Sequence, residues 1–266
     1  MRTLTVLKIG GNVLDNSELL PEVLKNFSER SGLKILVHGG GKVANRYLQA
    51  LGINPVMMEG RRVTDAKTLE VVSMVYAGLI NKQLVGMLQV FGCNALGLSG
   101  ADAAVIPASK RSPIPVDYGY VGDVILSDIP GQLIHHWLED NITPVFSPLS
   151  FEKKSGCLLN TNADTIASAV SAAMASFYAV RLVYCFEKKG VLSDPGDENS
   201  VIESMTFQEF QQLKQGGVIT EGMIPKLENA FTALSKGVSE VWICGPQAFR
   251  KENPFSGTLI THGRIP

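Results

Sequence analysis

Lys8 stands near the end of an apolar run, Leu4-Thr5-Val6-Leu7-Lys8-Ile9, and two glycines, Gly10 and Gly11, follow at once. An ammonium taken into an apolar setting without a partner is costly, so this lysine calls for an anion. Glycines beside it put no Cβ between backbone N–H groups and the oxygens of a phosphate. A lysine that snorkels from a strand end ahead of an ordinary turn satisfies the same stretch.

A second stretch repeats the design. Lys34-Ile35-Leu36-Val37 runs into His38-Gly39-Gly40-Gly41 and then into a helical pattern over 42–51. Glycines between a strand and a helix start let a ligand approach the backbone, and they aim N–H groups and the positive end of the helix dipole at it. An anionic substrate requires such a place. Neither G-x-x-x-x-G-K-[ST] nor G-x-G-x-x-G occurs, so this is neither a Walker loop nor a dinucleotide fingerprint.

Four more clusters bear on chemistry. Arg61-Arg62-Val63-Thr64-Asp65 sets a guanidinium ahead of a helix start, where it suits bidentate binding of a carboxylate or is simply a surface charge. Asn160-Thr161-Asn162-Ala163-Asp164 opens a helix of small residues over 165–175. Such a helix packs closely on a sheet, which buries Asp164 and creates a demand for a cation, although the helix dipole alone also favours an acid there. Glu187-Lys188-Lys189-Gly190-Val191-Leu192 leaves a strand with charge and a glycine, as a nucleotide-edge loop or a solvated turn does. In Glu221-Gly222-Met223-Ile224-Pro225-Lys226 the proline belongs in a first helical turn. Lys226 there opposes the dipole and needs a local anion.

The elements that must position these groups alternate. Strands rich in Val, Ile and Leu (34–38, 143–147, 180–185) are separated by helical patterns (16–30, 42–51, 129–139), the signature of an α/β sheet covered on both faces. Residues 55–63 read as a hairpin or turn, 65–91 as the longest helix with Gly78 and Gly86 as bends, and 112–115 as an exposed loop. Leu96-Gly97-Leu98, Ala104-Val105-Ile106 and 120–124 read as strands. The softest lobe boundary falls near Phe177-Tyr178, giving lobes 1–178 and 179–266.

At 266 residues and a net charge of −1 the chain is large enough for a substantial core and lacks the basic excess of a nucleic-acid or membrane-surface protein. The first apolar run contains Lys8 and stops at glycines, so neither signal peptide nor membrane span is expected, and the location expected is cytoplasmic. The four cysteines have no C-x-x-C spacing, and adjacent His135 and His136 diverge on a helix, so no metal site is expected.

Taken in order, KIGG, HGGG, RRVTD, NTNAD and EGMIPK resemble the amino acid kinase superfamily, and within it the acetylglutamate kinases of the short-chain, arginine-insensitive type. The match runs from Lys8 to the closing strand near Leu259. Aspartate kinases carry further domains, and glutamate 5-kinases and uridylate kinases lack HGGG followed by R-V-T-D. The resemblance implies an open, mostly parallel twisted sheet between helices, with acylglutamate bound in the N-terminal lobe and ATP in the C-terminal one. It implies Lys8 and Lys226 as transition-state stabilisers held by Asp164, Gly10 and Gly11 at the phosphates, and Gly40, Gly41, Arg62 and Asn160 at the acylglutamate. Glu187, Lys188, Lys189, Gly190, Val191, Leu192, Val218, Ile219 and Thr220 would bound the nucleotide. Two departures stand out: Glu187-Lys188-Lys189-Gly190 replaces the family's T/S-D-V-x-G, and Glu221-Gly222-Met223 its G-G-M.

The reaction so implied is ATP-dependent phosphorylation of the γ-carboxylate of an N-acylglutamate, with Mg²⁺ carried by the ATP phosphates and water. A homodimer that arginine does not inhibit is expected, because the first strand begins close to Met1. Acetyl is the default acyl group. Succinyl would need a donor of its own, for which Arg61, Lys110 and Arg111 are candidates, and a pocket built for acetyl would reject it sharply. A ligand-binding paralogue without turnover is the alternative from another class, resting on the altered 187–190 loop.

Overall fold

The computed structural model describes residues 1–58, 61–194, 196–219, 222–248 and 255–261. Its frame is a single eight-stranded sheet. The central strand is β1 (Thr3–Ile9), flanked by β2 (Leu33–His38) and β11 (Ala179–Cys185), with Lys8 level with Val37 on one side and Tyr184 on the other. Outward from β2 lie β8 (Thr143–Phe146) and the edge strand β5 (Ala95–Leu98). Outward from β11 lie β13 (Glu240–Cys244), β14 (Thr258–Thr261) and β12 (Ser204–Thr206). All pairs are parallel except β13 with β14. The chain is therefore the α/β fold expected, an open and mostly parallel sheet between helices.

Side chains of a strand alternate between faces, and β1 serves two cores in this way. Leu4 and Val6 enter one cluster while Leu7 and Ile9 enter the other. The first core is covered by α6 (Gly131–Glu139), α7 (Ala163–Met174) and α9 (Ile224–Ser235); α8 (Phe207–Gln215) adds Phe210 and carries a Thr206–Glu209 capping box. The second is covered by α2 (Leu19–Glu29), α3 (Gly41–Ala50), α4 (Ala66–Ser73), a π-helical stretch (Met74–Ile80) and α5 (Asn81–Val90). Period two puts Lys8 on the Leu4–Val6 face, toward α7. That helix is built of Ala, Ser, Val and Ile and lies against β1 and β11 with eight of its residues buried.

The run 66–90 is one continuous helical stretch whose middle, Met74–Ile80, is π-helical and contains Gly78. It is long and apolar enough to cross a bilayer by composition, yet Val71, Val72, Val75, Tyr76, Ile80, Leu84 and Leu88 are spent on the second core. Residues 104–106 correct another expectation. Val105 and Ile106 are buried, but the chain there leaves a 3₁₀ turn with Ala103 and Ala104 at φ near +50°, so no strand forms. Three hairpins lie outside the sheet: β3 (Val56–Met58) with β4 (Arg61–Val63), β6 (Ala108–Lys110) with β7 (Gly122–Val124), and β9 (Leu149–Glu152) with β10 (Cys157–Asn160). All four cysteines are free. Among the described residues no three His, Cys, Asp or Glu side chains cluster as metal ligands would.

Candidate active site

The carboxyl ends of β1, β2 and β11 meet at one edge of the sheet, where open α/β proteins place their ligands. Lys8, one residue before the end of β1, projects onto the first turn of α7 and reaches Asp164 Oδ1 at 2.6 Å, an ion pair without aligned hydrogen-bond geometry. Lys226, in the first turn of α9, donates to Asp164 Oδ2 at 2.9 Å. Both lysines thus have an anion, and it is the same one. Asp164 is fixed from behind: its N–H donates to the N-cap Asn162 side chain, and its carbonyl accepts from the Tyr184 hydroxyl at 3.2 Å. Burial alone would raise its pKa, but the charges of Lys8 and Lys226 outweigh this and hold it at about 2. Burial lowers Lys8 from its ordinary 10.5; Asp164 opposes the shift and Lys226 adds to it. The side chain of Lys8 is 8% exposed and that of Lys226 22%, so the second lysine is the one nearer solvent.

A cavity of about 260 Å³ opens in front of this triad. Lys8, Gly11, Gly40, Gly41, Arg62, Asn160 and Asp164 all line it, so most groups expected at the phosphates and the acylglutamate converge. Gly40 has φ +152°, and a Cβ there would lie 2.5 Å from Ile80 Cδ1, so only glycine fits between the strand and α3. Arg62 donates to the Gly41 carbonyl through Nη2 at 3.1 Å, while its buried Nη1 has no partner. Asn160 is tied to the Thr64 hydroxyl through Nδ2 at 2.9 Å. Thr64 also exchanges backbone bonds with Tyr118 and Tyr120, which draws the β3–β4 hairpin and the 111–121 loop into one wall. Gly10 does not line the cavity; its N–H bonds Cys185 O and its carbonyl starts the short helix α1 (Gly11–Leu14).

A second, smaller cavity of about 90 Å³ is lined by Lys188, Gly190, Val191, Leu192, Val218, Ile219 and Met223. Met223 is the N-cap of α9, three residues before Lys226, so this cleft adjoins the triad's outer lysine. Glu187 and Lys189 do not line it; Lys189 bonds Asn199 and Lys188 pairs with Glu198. Thr220 lies outside the described residues, as does Glu221.

Several groups had no legible signal in the chain. Tyr76, which reaches the cavity from the π-helical stretch, is an ordinary member of an apolar helix face in sequence. His38 is fully buried: Nδ1–H donates to Gly39 O at 2.7 Å and Nε2 accepts from Asn81 Nδ2 at 3.2 Å, which orders the glycine loop from below. Burial lowers its pKa to about 4, so it stays neutral. Its place directly before the glycines was the one available hint.

The sequence matches the amino acid kinase family over residues 3–245, nearly the whole length of the sheet. The chain belongs to the amino acid kinase family. Curated relatives named acetylglutamate kinase include those of Cytophaga hutchinsonii, 49% identical over 98% of this chain and 99% of that protein, and of Bacteroides thetaiotaomicron, 50% identical over 97% and 98%. Among solved family folds, smu.665 from Streptococcus mutans superposes with a TM-score of 0.79 at 32% identity over 97% of this chain and 98% of that one. N-acetylglutamate synthase from Neisseria gonorrhoeae, with a TM-score of 0.81 and 22% identity, covers 97% of this chain but 59% of its own and shares the fold.

Proposed function

We propose that this member of the amino acid kinase family is an acetylglutamate kinase, transferring the γ-phosphoryl group of ATP to the γ-carboxylate of N-acetyl-L-glutamate in arginine biosynthesis. The observation that carries this reading is the cavity lined by Lys8, Asp164, Arg62 and the Gly40–Gly41 loop, in a chain about half identical to acetylglutamate kinases along its length.

The chemistry follows from charge. The attacking carboxylate is already an anion, so no general base is needed, and His38, neutral and with both ring nitrogens engaged, does not compete for that role. Two anions must approach in line, so catalysis rests on positioning and on cations and N–H groups at the transferring phosphoryl oxygens. Lys8 and Lys226 supply the cations, and Asp164 spaces them and keeps them from repelling each other apart. Gly10 and Gly11 are assigned to the phosphates, Gly40 and Gly41 to the substrate at the α3 N-terminus, and Arg62 with Asn160 to its α-carboxylate. The 188–192 and 218–219 segments are assigned to the nucleotide base and ribose.

Magnesium enters with ATP as the MgATP substrate. The donor set fits this: Asp164, the carboxylate lining the cavity, is neutralised by two lysines, so phosphate oxygens and water are left to hold the ion. A division into an acylglutamate lobe (1–178) and a nucleotide lobe (179–266), a cytoplasmic location and a homodimer complete the reading. The dimer is supported by the free edge of β5 and by exposed Met74 and Val90 on the long helix, and light scattering tests it. The function itself is tested by coupled ADP release with MgATP and N-acetyl-L-glutamate. Release dependent on the acylglutamate is expected; none at millimolar substrate would overturn the assignment.

A further inference from the structure

The cavity carries two cationic side chains to which the kinase reading assigns no role. Four cationic side chains line it, Lys8, Arg61, Arg62 and Arg111, against the single carboxylate of Asp164. Lys8 belongs to the Asp164 triad, and Arg62 is held at Gly41 beside the glycine loop. That leaves Arg61 and Arg111, which come from different hairpins. Arg61 opens β4 and is exposed, and among the described residues it has no ion pair. Arg111 follows β6, with its N–H bonded to Val121 O, and is held by Asp123 on β7 through Nε and Nη2. Its Nη1 has no partner among the described residues. Asp123 thus fixes the plane of this guanidinium and leaves one edge of the fork unused. Lys110, by contrast, stacks over the Tyr120 ring, 4.7 Å from its centroid, and does not line the cavity.

Resting on the kinase reading above, we propose that Arg61 and Arg111 form an anion subsite at the acyl end of this cavity. The chain then also phosphorylates N-acylglutamates whose acyl group ends in a carboxylate, the monoamides of short dicarboxylic acids, at least as well as N-acetylglutamate. Two guanidiniums from separate hairpins match the two oxygens of a carboxylate, a fit an acetyl methyl group cannot use. Met57 on the neighbouring β3 strand and Val121 line the same cavity and offer apolar contact to the intervening methylenes. Arg111 is already desolvated in part by Asp123 and Tyr118, so an incoming carboxylate gains a pre-oriented donor at little ordering cost.

Charge is separated from length by three substrates: N-acetyl-, N-butanoyl- and N-succinyl-L-glutamate. The butanoyl compound has the reach of succinyl without its carboxylate. Wild-type kcat/KM for N-succinyl-L-glutamate is expected to equal or exceed that for N-acetyl-L-glutamate and to exceed that for the butanoyl compound at least about tenfold, as removal of a matched charge commonly costs. In Arg61→Ala and in Arg111→Gln the succinyl-to-butanoyl ratio falls by about tenfold or more, chiefly through KM. Arg61→Ala guards against loss of folding, because that side chain is exposed and makes no ion pair among the described residues. Succinyl as the poorest of the three substrates, or a ratio unmoved in both variants, overturns the subsite alone and leaves the kinase standing. Turnover of none of the three overturns the kinase reading and the subsite with it.

Discussion

Replacing Asp164 by asparagine removes one charge and almost no volume, and it acts on both lysines at once. In the folded protein the Asp164 carboxyl is held at about 2 against an ordinary 3.8. A folded value below the unfolded one means stability that is present above the unfolded pKa and lost as pH falls through the folded one. That shift contributes on the order of 2 kcal/mol at neutral pH. The variant loses it and also strands Lys8, 7% exposed, without a counter-ion. Removing one partner of a buried pair costs about 3–5 kcal/mol, and that is the deficit expected in urea unfolding near pH 7. The deficit should hold steady down to about pH 4 and narrow below it, where the wild-type carboxyl takes up its own proton. Kinetics give a second readout. Without the carboxylate, burial and the repulsion of Lys226 act on Lys8 unopposed, so its ammonium is lost at lower pH than in the wild type. The alkaline limb of kcat should move to lower pH, with kcat near pH 8 down by about a hundredfold. A folded variant with wild-type stability and an unmoved alkaline limb would refute the reasoning.

Other outcomes follow from single contacts. Arg62→Lys should raise KM for the acylglutamate by about tenfold or more and leave KM for ATP nearly unchanged, since an ammonium has no fork to present to a carboxylate. Steady-state kinetics with each substrate varied in turn check this, and an unchanged acylglutamate KM would remove Arg62 from the site. Gly40→Ala should cost about 2 kcal/mol or more, because its Cβ would meet Ile80 Cδ1 at 2.5 Å in a conformation that L residues resist. Adding Ile80→Val, which deletes that atom, should recover part of the loss in denaturant midpoint. His38, held neutral with a pKa of about 4 against 6.5, makes the fold lose stability as pH drops through that interval, since only the unfolded chain takes the proton there. The loss is on the order of 3 kcal/mol at most, and in His38→Gln the slope of stability between pH 6.5 and 4 should flatten.

What could be read from the chain was whatever local structure disfavours. Lys8 in an apolar strand and Lys226 in a first helical turn each demanded an anion on local grounds, and the small-residue helix behind Asp164 announced a buried acid. The alternating pattern was enough for the parallel sheet, because strands buried on both faces must be apolar throughout. Contacts set by distant parts of the chain were not legible. Val105 and Ile106 look like a strand because burial alone selects them, whereas their backbone turns at Ala103 and Ala104. The β9–β10 hairpin is too short and too mixed in polarity to stand out. Tyr76 gains its place only when a long helix and two hairpins meet over the glycine loop, and the same meeting separates Arg61 and Arg111, which line the cavity, from Lys110, which does not. At the nucleotide side, Lys188 and Gly190 reach the small cavity, while Lys189 bonds Asn199 and Glu187 is exposed, a split set by how the 187–200 loop folds on itself.

The central claim is that the Lys8–Asp164–Lys226 triad stabilises phosphoryl transfer to a carboxylate. Trapping the product with hydroxylamine tests it most directly, since an acyl phosphate yields a hydroxamate in step with ADP. Wild-type protein with MgATP and N-acetyl-L-glutamate should form hydroxamate stoichiometric with ADP, and Lys8→Ala and Lys226→Ala, each folded by circular dichroism, should each lower kcat by about a hundredfold or more with smaller changes in KM. ADP formed without hydroxamate, or a folded Lys8→Ala variant turning over at the wild-type rate, would contradict the account.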